Sequence, residues 1–279
     1  MRYDIAGITW RRTILRGATT LGLVGVILGS PLPLPAQTMD EQAAYVALIY
    51  TPVGGLTPLA PHNEVAAARG RPALTWQGRL GRFTRSGGLS ATLLAVGAEL
   101  PRGRWRLGGT LAFASVSCGP DWAGDSDCSG DIMFGGSART TLVSKPLDAA
   151  DGARRSASSG NSLLVGFDGS VGFSPRGGEQ ALSLAGAVPV AISFEGRDMR
   201  IVPFLSPGLG YGRLGNVEYW DDDAPTSHGT FLLMMGGGVG FEFKRSGIGA
   251  TLGFQKALKS DDGATAIGLG MTWRGPGAR

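Results

Sequence analysis

The chain has 279 residues, 17 % of them charged and 47 of them glycine, with a formal net charge of +4. Globular domains usually carry ~25 % charged residues and ~7 % glycine, so this chain is poor in charge and unusually rich in glycine. Its many apolar residues exclude a disordered polymer. Beyond the leader described next, no apolar run reaches the ~18 residues of a helical membrane span.

The N-terminus has the layout of a secretory signal peptide. Arg2, Arg11, Arg12 and Arg16 form a positive region, residues 18–30 are apolar, and Pro-Leu-Pro-Leu-Pro-Ala ends at Ala36. Leu34 and Ala36 then occupy the −3 and −1 positions of a cleavage site before Gln37. The apolar stretch is shorter than a spanning helix and is followed at once by prolines, which argues against a membrane anchor. Residues 1–36 are therefore expected to be removed. They hold four arginines and one aspartate, so the remainder carries 22 basic against 21 acidic groups. A nearly neutral remainder gives no support for nucleic-acid binding.

Residues 37–72 read as an N-terminal extension punctuated by proline. From about Ala73 the hydrophobic period is two, the spacing of a strand whose successive Cβ atoms point to opposite faces. The clearest stretch is Ala181 to Phe194, where Leu182, Leu184, Val188, Val190, Ile192 and Phe194 alternate with small residues. Segments near 162–173, 231–244, 248–255 and 264–273 repeat the pattern, and 74–84, 88–100, 104–117, 131–145 and 199–213 follow it less cleanly. These segments predict about 8–10 antiparallel strands in up-and-down order. Turns alternate in length. Pro101 to Arg104, Glu195 to Asp198 and Lys244 to Gly247 are short, whereas 118–130 and 214–230 on the opposite side are long. Residues 146–160 break the rule, being long on the short-turn side.

The face opposite the large apolar residues decides the solvent. In a soluble sheet it would be rich in Lys, Glu, Asp and Thr. Here it is Gly, Ala, Ser and Thr with an occasional charge, which suits the crowded interior of a narrow barrel whose apolar face meets lipid. Trp105, Phe173, Phe194, Tyr211, Phe243 and Trp273 stand near strand ends, as an interfacial belt requires. The expected fold is all-β: an antiparallel up-and-down transmembrane β-barrel over 73–274, preceded by a signal peptide and followed by a short tail, 275–279.

By this pattern, over residues 73–274, the chain resembles the small outer-membrane β-barrels of the OmpA/OmpX/OmpW type. The resemblance implies the outer membrane of a diderm bacterium, contact with its lipid, and assembly by the barrel-assembly machinery. Such proteins usually end on an aromatic residue, whereas here six residues, Arg274 to Arg279, follow Trp273.

Candidate chemistry is sparse. Gln77, Arg79, Glu99, Arg139, Asp168, Glu242 and Gln255 are expected on the inward face, either as a buried structural network or as the lining of a small pore. Cys118 and Cys128 bracket one long loop, and in an oxidising compartment they are expected to form a disulfide. His62 and His228 are the only histidines. His228 lies close to Asp221, Asp222, Asp223 and Ser227, but no set of nucleophile, base and orienting group is evident. No catalytic residue, metal site or cofactor is expected. The reading is a non-catalytic envelope barrel with a structural or loop-mediated interaction role. The alternatives are a small porin or hydrophobic-solute channel, and a hydrolase of lipid or peptide acting at the rim.

Overall fold

The computed structural model describes residues 74–84, 90–117, 130–147, 161–176, 179–215, 227–258 and 264–274. The leader, the extension 37–72, Cys118, Cys128 and the tail lie outside the described residues.

Every element described is a strand: β1 (Thr75–Thr84), β2 (Ser90–Arg102), β3 (Trp105–Ser117), β4 (Gly130–Pro146), β5 (Ser162–Arg176), β6 (Glu179–Ala187), β7 (Val190–Glu195), β8 (Met199–Gly215), β9 (Ser227–Phe243), β10 (Ile248–Ala257) and β11 (Thr265–Arg274). Sequence neighbours pair antiparallel except β6 and β7, which each pair with β5 and β8, and β1 also pairs with β11, from Thr75↔Arg274 to Thr84↔Thr265. That last pairing closes the sheet, so no edge is left to offer unpaired N–H and C=O groups.

β6 and β7 are two halves of one stave. Both keep one register against β5, with Asp168↔Ala187 and Val165↔Val190. Both also keep one register against β8, with Ala187↔Gly208 and Val190↔Leu205. The barrel therefore has ten strands. The stretch 181–194, expected as one continuous strand, is interrupted because Pro189 has no N–H to give the ladder.

Strand direction puts the tight turns after β2, β7 and β9 at one end, called here the turn end, and the connections 118–129 and 216–226, with the short 177–178, at the other, the loop end. Gly103 (φ 62°) and Gly247 (φ 68°) hold the left-handed backbone that two of the tight turns need. The long connection 146–160 falls on the turn end: β4 and β5 flank it, and the Leu147 N–H donates to the Asn161 carbonyl at 2.8 Å, carrying the ladder beyond the strands. The strand count is thus regular and this one turn is long. β4 also takes up an extra residue, Leu142, where its register against β5 shifts between Thr141 and Val143.

The outer face is apolar. Leu80, Leu94, Phe113 and Ile132 follow one another across β1 to β4, while Leu269, Leu252 and Val239 continue the row from Leu80 through β11, β10 and β9. Leu80, Leu94, Phe113, Ile132, Leu252 and Leu269 are all exposed. At the turn end Trp76 (50 % exposed) pairs with Trp273 (54 %), with Phe243 nearby on β9. Toward the loop end Phe134 pairs with Phe173, and Tyr211 packs on Phe231 with ring centroids 4.8 Å apart. β1 has ten residues. At ~3.3 Å per residue and a ~40° tilt it rises about 25 Å, the height of a barrel's apolar band. Exposed apolar rows of this extent would aggregate in water and are stable against lipid.

Close packing of neighbouring strands also restricts the small residues. A Cβ added at Gly238 would run into the Leu252 carbonyl on β10, so the glycine there permits the β9–β10 approach.

Replacing Leu269 with arginine puts a charge on the outer face near mid-height. It is expected to cost about 2–4 kcal/mol, read as a lower urea midpoint for the barrel folded in lipid vesicles. An unchanged midpoint would show that this face does not meet hydrocarbon.

Candidate functional site: two charge clusters at the turn end

Inside the wall the side chains sort into layers. At the turn end they are charged, and they form two groups on opposite stretches of the sheet.

The first group spans β1 to β5. Glu99, on β2, is 1 % exposed. Arg139 on β4 brings Nη2 to 2.8 Å from Glu99 Oε1, and Arg106 on β3 brings Nε to 3.6 Å from Oε2. Arg106 Nη2 donates to Thr75 Oγ1 at 2.9 Å, and Arg79 Nη2 donates to Gln77 Oε1 at 2.7 Å. Asp168 is the register partner of Arg139 on β5. A buried carboxylate is tolerated because two guanidinium groups compensate it, and the arginines are tolerated for the same reason.

The second group joins β7, β8, β9 and β11. Arg200 Nε donates to Ser193 Oγ at 2.7 Å and lies 3.1 Å from Glu195 Oε1. Its Nη1 donates to Glu242 Oε2 at 3.1 Å, and Arg274 Nη2 donates to Glu242 Oε1 at 2.8 Å. Lys244 Nζ stands 2.6 Å from Glu195 Oε2 and donates to the Gly196 carbonyl at 2.8 Å. These contacts tie a tight turn, the end of β9 and the last residue of β11 together.

Toward the loop end the interior is apolar. Phe83, Leu93, Met133, Leu232 and Met234 are buried with Ala91, Ala95, Ala112, Ala114, Ala181, Ala257, Ala264 and Ala266 in one cluster. A smaller cluster of Leu164, Ala191, Val202 and Phe204 lies on β5, β7 and β8.

Of the seven polar candidates, Gln77, Arg79, Glu99, Arg139 and Asp168 thus fall on neighbouring strands at the turn end. Glu242 belongs to the second group. Gln255 is apart from both, donating its Nε2 to Met234 Sδ at 2.9 Å. Sequence reasoning missed Arg106, Glu195, Arg200, Lys244 and Arg274. Arg106 was open to detection, since it alternates with Trp105 and Leu107. Arg200 was not, because Val202 and Phe204 inside and Ile201 and Leu205 outside blur the alternation of β8. His228, expected in a loop, stands on β9 opposite Leu214. His62, Asp221, Asp222 and Asp223 lie outside the described residues.

Neither charge group contains histidine or cysteine. In the second group Ser193 Oγ donates to Glu195 Oε1 at 3.2 Å, and the same carboxylate is held by Arg200 and Lys244. The arrangement can fix strands and set an internal electrostatic layer. It does not supply a nucleophile with an available base.

Fold and outer face define a transmembrane-type antiparallel β-barrel. No family model matches the chain, and no curated protein matches it in sequence. Solved structures do resemble it. The N-terminal β-barrel domain of Pseudomonas aeruginosa OprF is 12 % identical, covers 74 % of this chain and 100 % of that one, with a TM-score of 0.35. Ail, the attachment invasion locus protein of Yersinia pestis, is 11 % identical over 74 % of this chain and 99 % of its own, with a TM-score of 0.30. The outer membrane enzyme PagL is 12 % identical over 71 % and 98 %, with a TM-score of 0.31. The architecture described above stands on this chain's own register and faces.

Glu99→Gln removes the buried carboxylate that Arg106 and Arg139 share. It is expected to destabilise the barrel by about 3–5 kcal/mol, measured by urea unfolding in detergent. A loss below about 1 kcal/mol, the worth of an exposed pair, would show that the group is solvated.

Proposed function

We propose that this protein is an exported, non-catalytic barrel of the bacterial outer membrane, whose role is structural or carried by its loops. The observation that carries this reading is the interior. Next to the ion-paired groups at the turn end lies an apolar layer in which Leu93 is 2 % exposed and Met133 is 0 % exposed. A water-filled pore needs a polar, accessible lining, and this layer opposes ion passage. The apolar outer rows and aromatic rims support the lipid location, and the leader of residues 1–36 supports export.

A hydrophobic-solute channel is the second reading, favoured by the apolar inner surfaces of β5, β7 and β8. A rim hydrolase finds no support in the two charge groups.

Planar-bilayer recordings of the purified barrel are expected to show no regular conductance steps. Steps that scale with salt concentration would contradict the sealed interior and favour the pore. Mass analysis of protein extracted from the envelope is expected to begin at Gln37. Its non-reduced peptide map should join Cys118 to Cys128. Retention of residues 1–36, or two alkylatable thiols, would count against export into an oxidising compartment.

A further inference from the structure

One seam of the wall is built differently from the others. Proline inside a sheet removes a ladder donor and is confined to strand ends, edges and bulges. Pro101, Pro146 and Pro175 obey this, standing at or next to the ends of β2, β4 and β5. Pro203 and Pro207 do not, and Pro189 splits one stave in two. Pro189 lies in the break between β6 and β7, and Pro203 and Pro207 lie within β8, the strand that faces that break.

The hydrogen-bonding record follows the prolines. β7 and β8 pair at Val190↔Leu205 and Ala191↔Phe204, and again at Phe194↔Ile201 and Glu195↔Arg200. The register positions between them, Ile192 opposite Pro203 and Ser193 opposite Val202, are not paired. At the break the Val188 N–H donates to the Pro207 carbonyl at 2.9 Å, and the Gly166 N–H donates to the Pro189 carbonyl at 2.8 Å. By contrast β2 and β3 pair without interruption from Ser90↔Ser117 to Arg102↔Trp105. In hydrocarbon no water replaces a missing backbone partner, so a stretch lacking donors at membrane depth is where the wall parts most readily.

The seam is apolar outside, and inside it is apolar beyond the Ser193–Arg200 contact. Outside, Val188, Val190 and Leu205 are exposed. Inside, Leu164, Ala191, Val202 and Phe204 form an apolar cluster of their own, separate from the larger one toward the loop end. Ser193 borders that path at the turn end, where Arg200 already holds its hydroxyl at 2.7 Å, and the four apolar residues beside it offer a flexible hydrocarbon chain the contact they would not offer an ion or a sugar.

We infer that the β7–β8 seam is a lateral portal, through which the acyl chain of a surrounding membrane lipid reaches the inner surface formed by Leu164, Ala191, Val202 and Phe204. The inference rests on the reading of the outer face as lipid-contacting, and the test separates the two. The mature protein is reconstituted in vesicles of phosphatidylethanolamine and phosphatidylglycerol that include a phospholipid with a diazirine near the acyl terminus. After irradiation, the adducts are mapped by mass spectrometry.

Labelling is expected on outward Leu80, Val190, Leu205 and Leu269 and also on inward Ala191, Val202 and Phe204. Inward Leu93, Ala114 and Met133 are expected to stay unlabelled. Pro203→Val, which restores a donor to the ladder, is expected to lower inward labelling several-fold relative to outward labelling. Adducts confined to the outward residues would overturn the portal and leave the membrane location standing. Labelling of Leu93 and Met133 equal to that of Phe204 would overturn it too, since entry would then not be local to this seam. Absence of adducts from Leu80 and Leu269 would remove the membrane location, and the portal with it.

Discussion

A backbone amide in hydrocarbon has no water to turn to, so every N–H and C=O inside a membrane needs a partner within the protein. This chain meets that demand by closing its sheet. The β1–β11 ladder, from Thr75↔Arg274 to Thr84↔Thr265, joins the first described strand to the last. The other features follow from closure. Strands must be long enough to cover the apolar band, side chains must alternate between lipid and interior, and an even number of strands brings both ends of the barrel to the same side.

Closure also creates an interior that must be filled, and the chain fills it with two kinds of matter. Near the tight turns, guanidinium and carboxylate groups bind several strands at once: Glu99 on β2 holds β3 and β4, and Glu242 on β9 holds β8 and β11. The Glu99 pairs, buried on both sides, carry a large desolvation cost and are stable only as a complete set, and both groups tie the geometry of several strands to one another. Toward the loops the filling is aliphatic and aromatic and carries no such requirement. Among the described residues, the interrupted stretch of wall around Pro189 and Pro203 lies away from the main apolar cluster and is bordered at the turn end by Ser193 and Arg200 of the second charge group. It has its own small lining of Leu164, Ala191, Val202 and Phe204.

The architecture was largely legible in the sequence because the period-two signal has a direct physical cause. Segments such as 248–255 and 264–273 place a large apolar residue at every second position and a small one between, and they appear as β10 and β11. What escaped was information that depends on register across strands. Nothing in the order of residues says that Arg106 and Arg139 converge on Glu99, or that Arg274, at the end of the last strand, closes a pair with Glu242. Arg200 was hidden by a strand apolar on both faces. The break at Pro189 was masked by the regular alternation around it, since side-chain direction continues through the proline while the donor is lost. The seven polar candidates were found by alternation alone, and alternation does not distinguish Gln255, beside Met234, from the ion-paired groups at the other end.

The central claim is that the large apolar face meets outer-membrane lipid around a closed barrel. It is tested most directly by fractionating cells that produce the full chain and running the envelope protein on a detergent gel with and without boiling. A closed barrel keeps its fold in the unheated sample and migrates as a compact species. The account predicts that the mature protein is in the outer-membrane fraction and that its mobility shifts on heating. Recovery in the soluble fraction, with identical mobility before and after boiling, would contradict it.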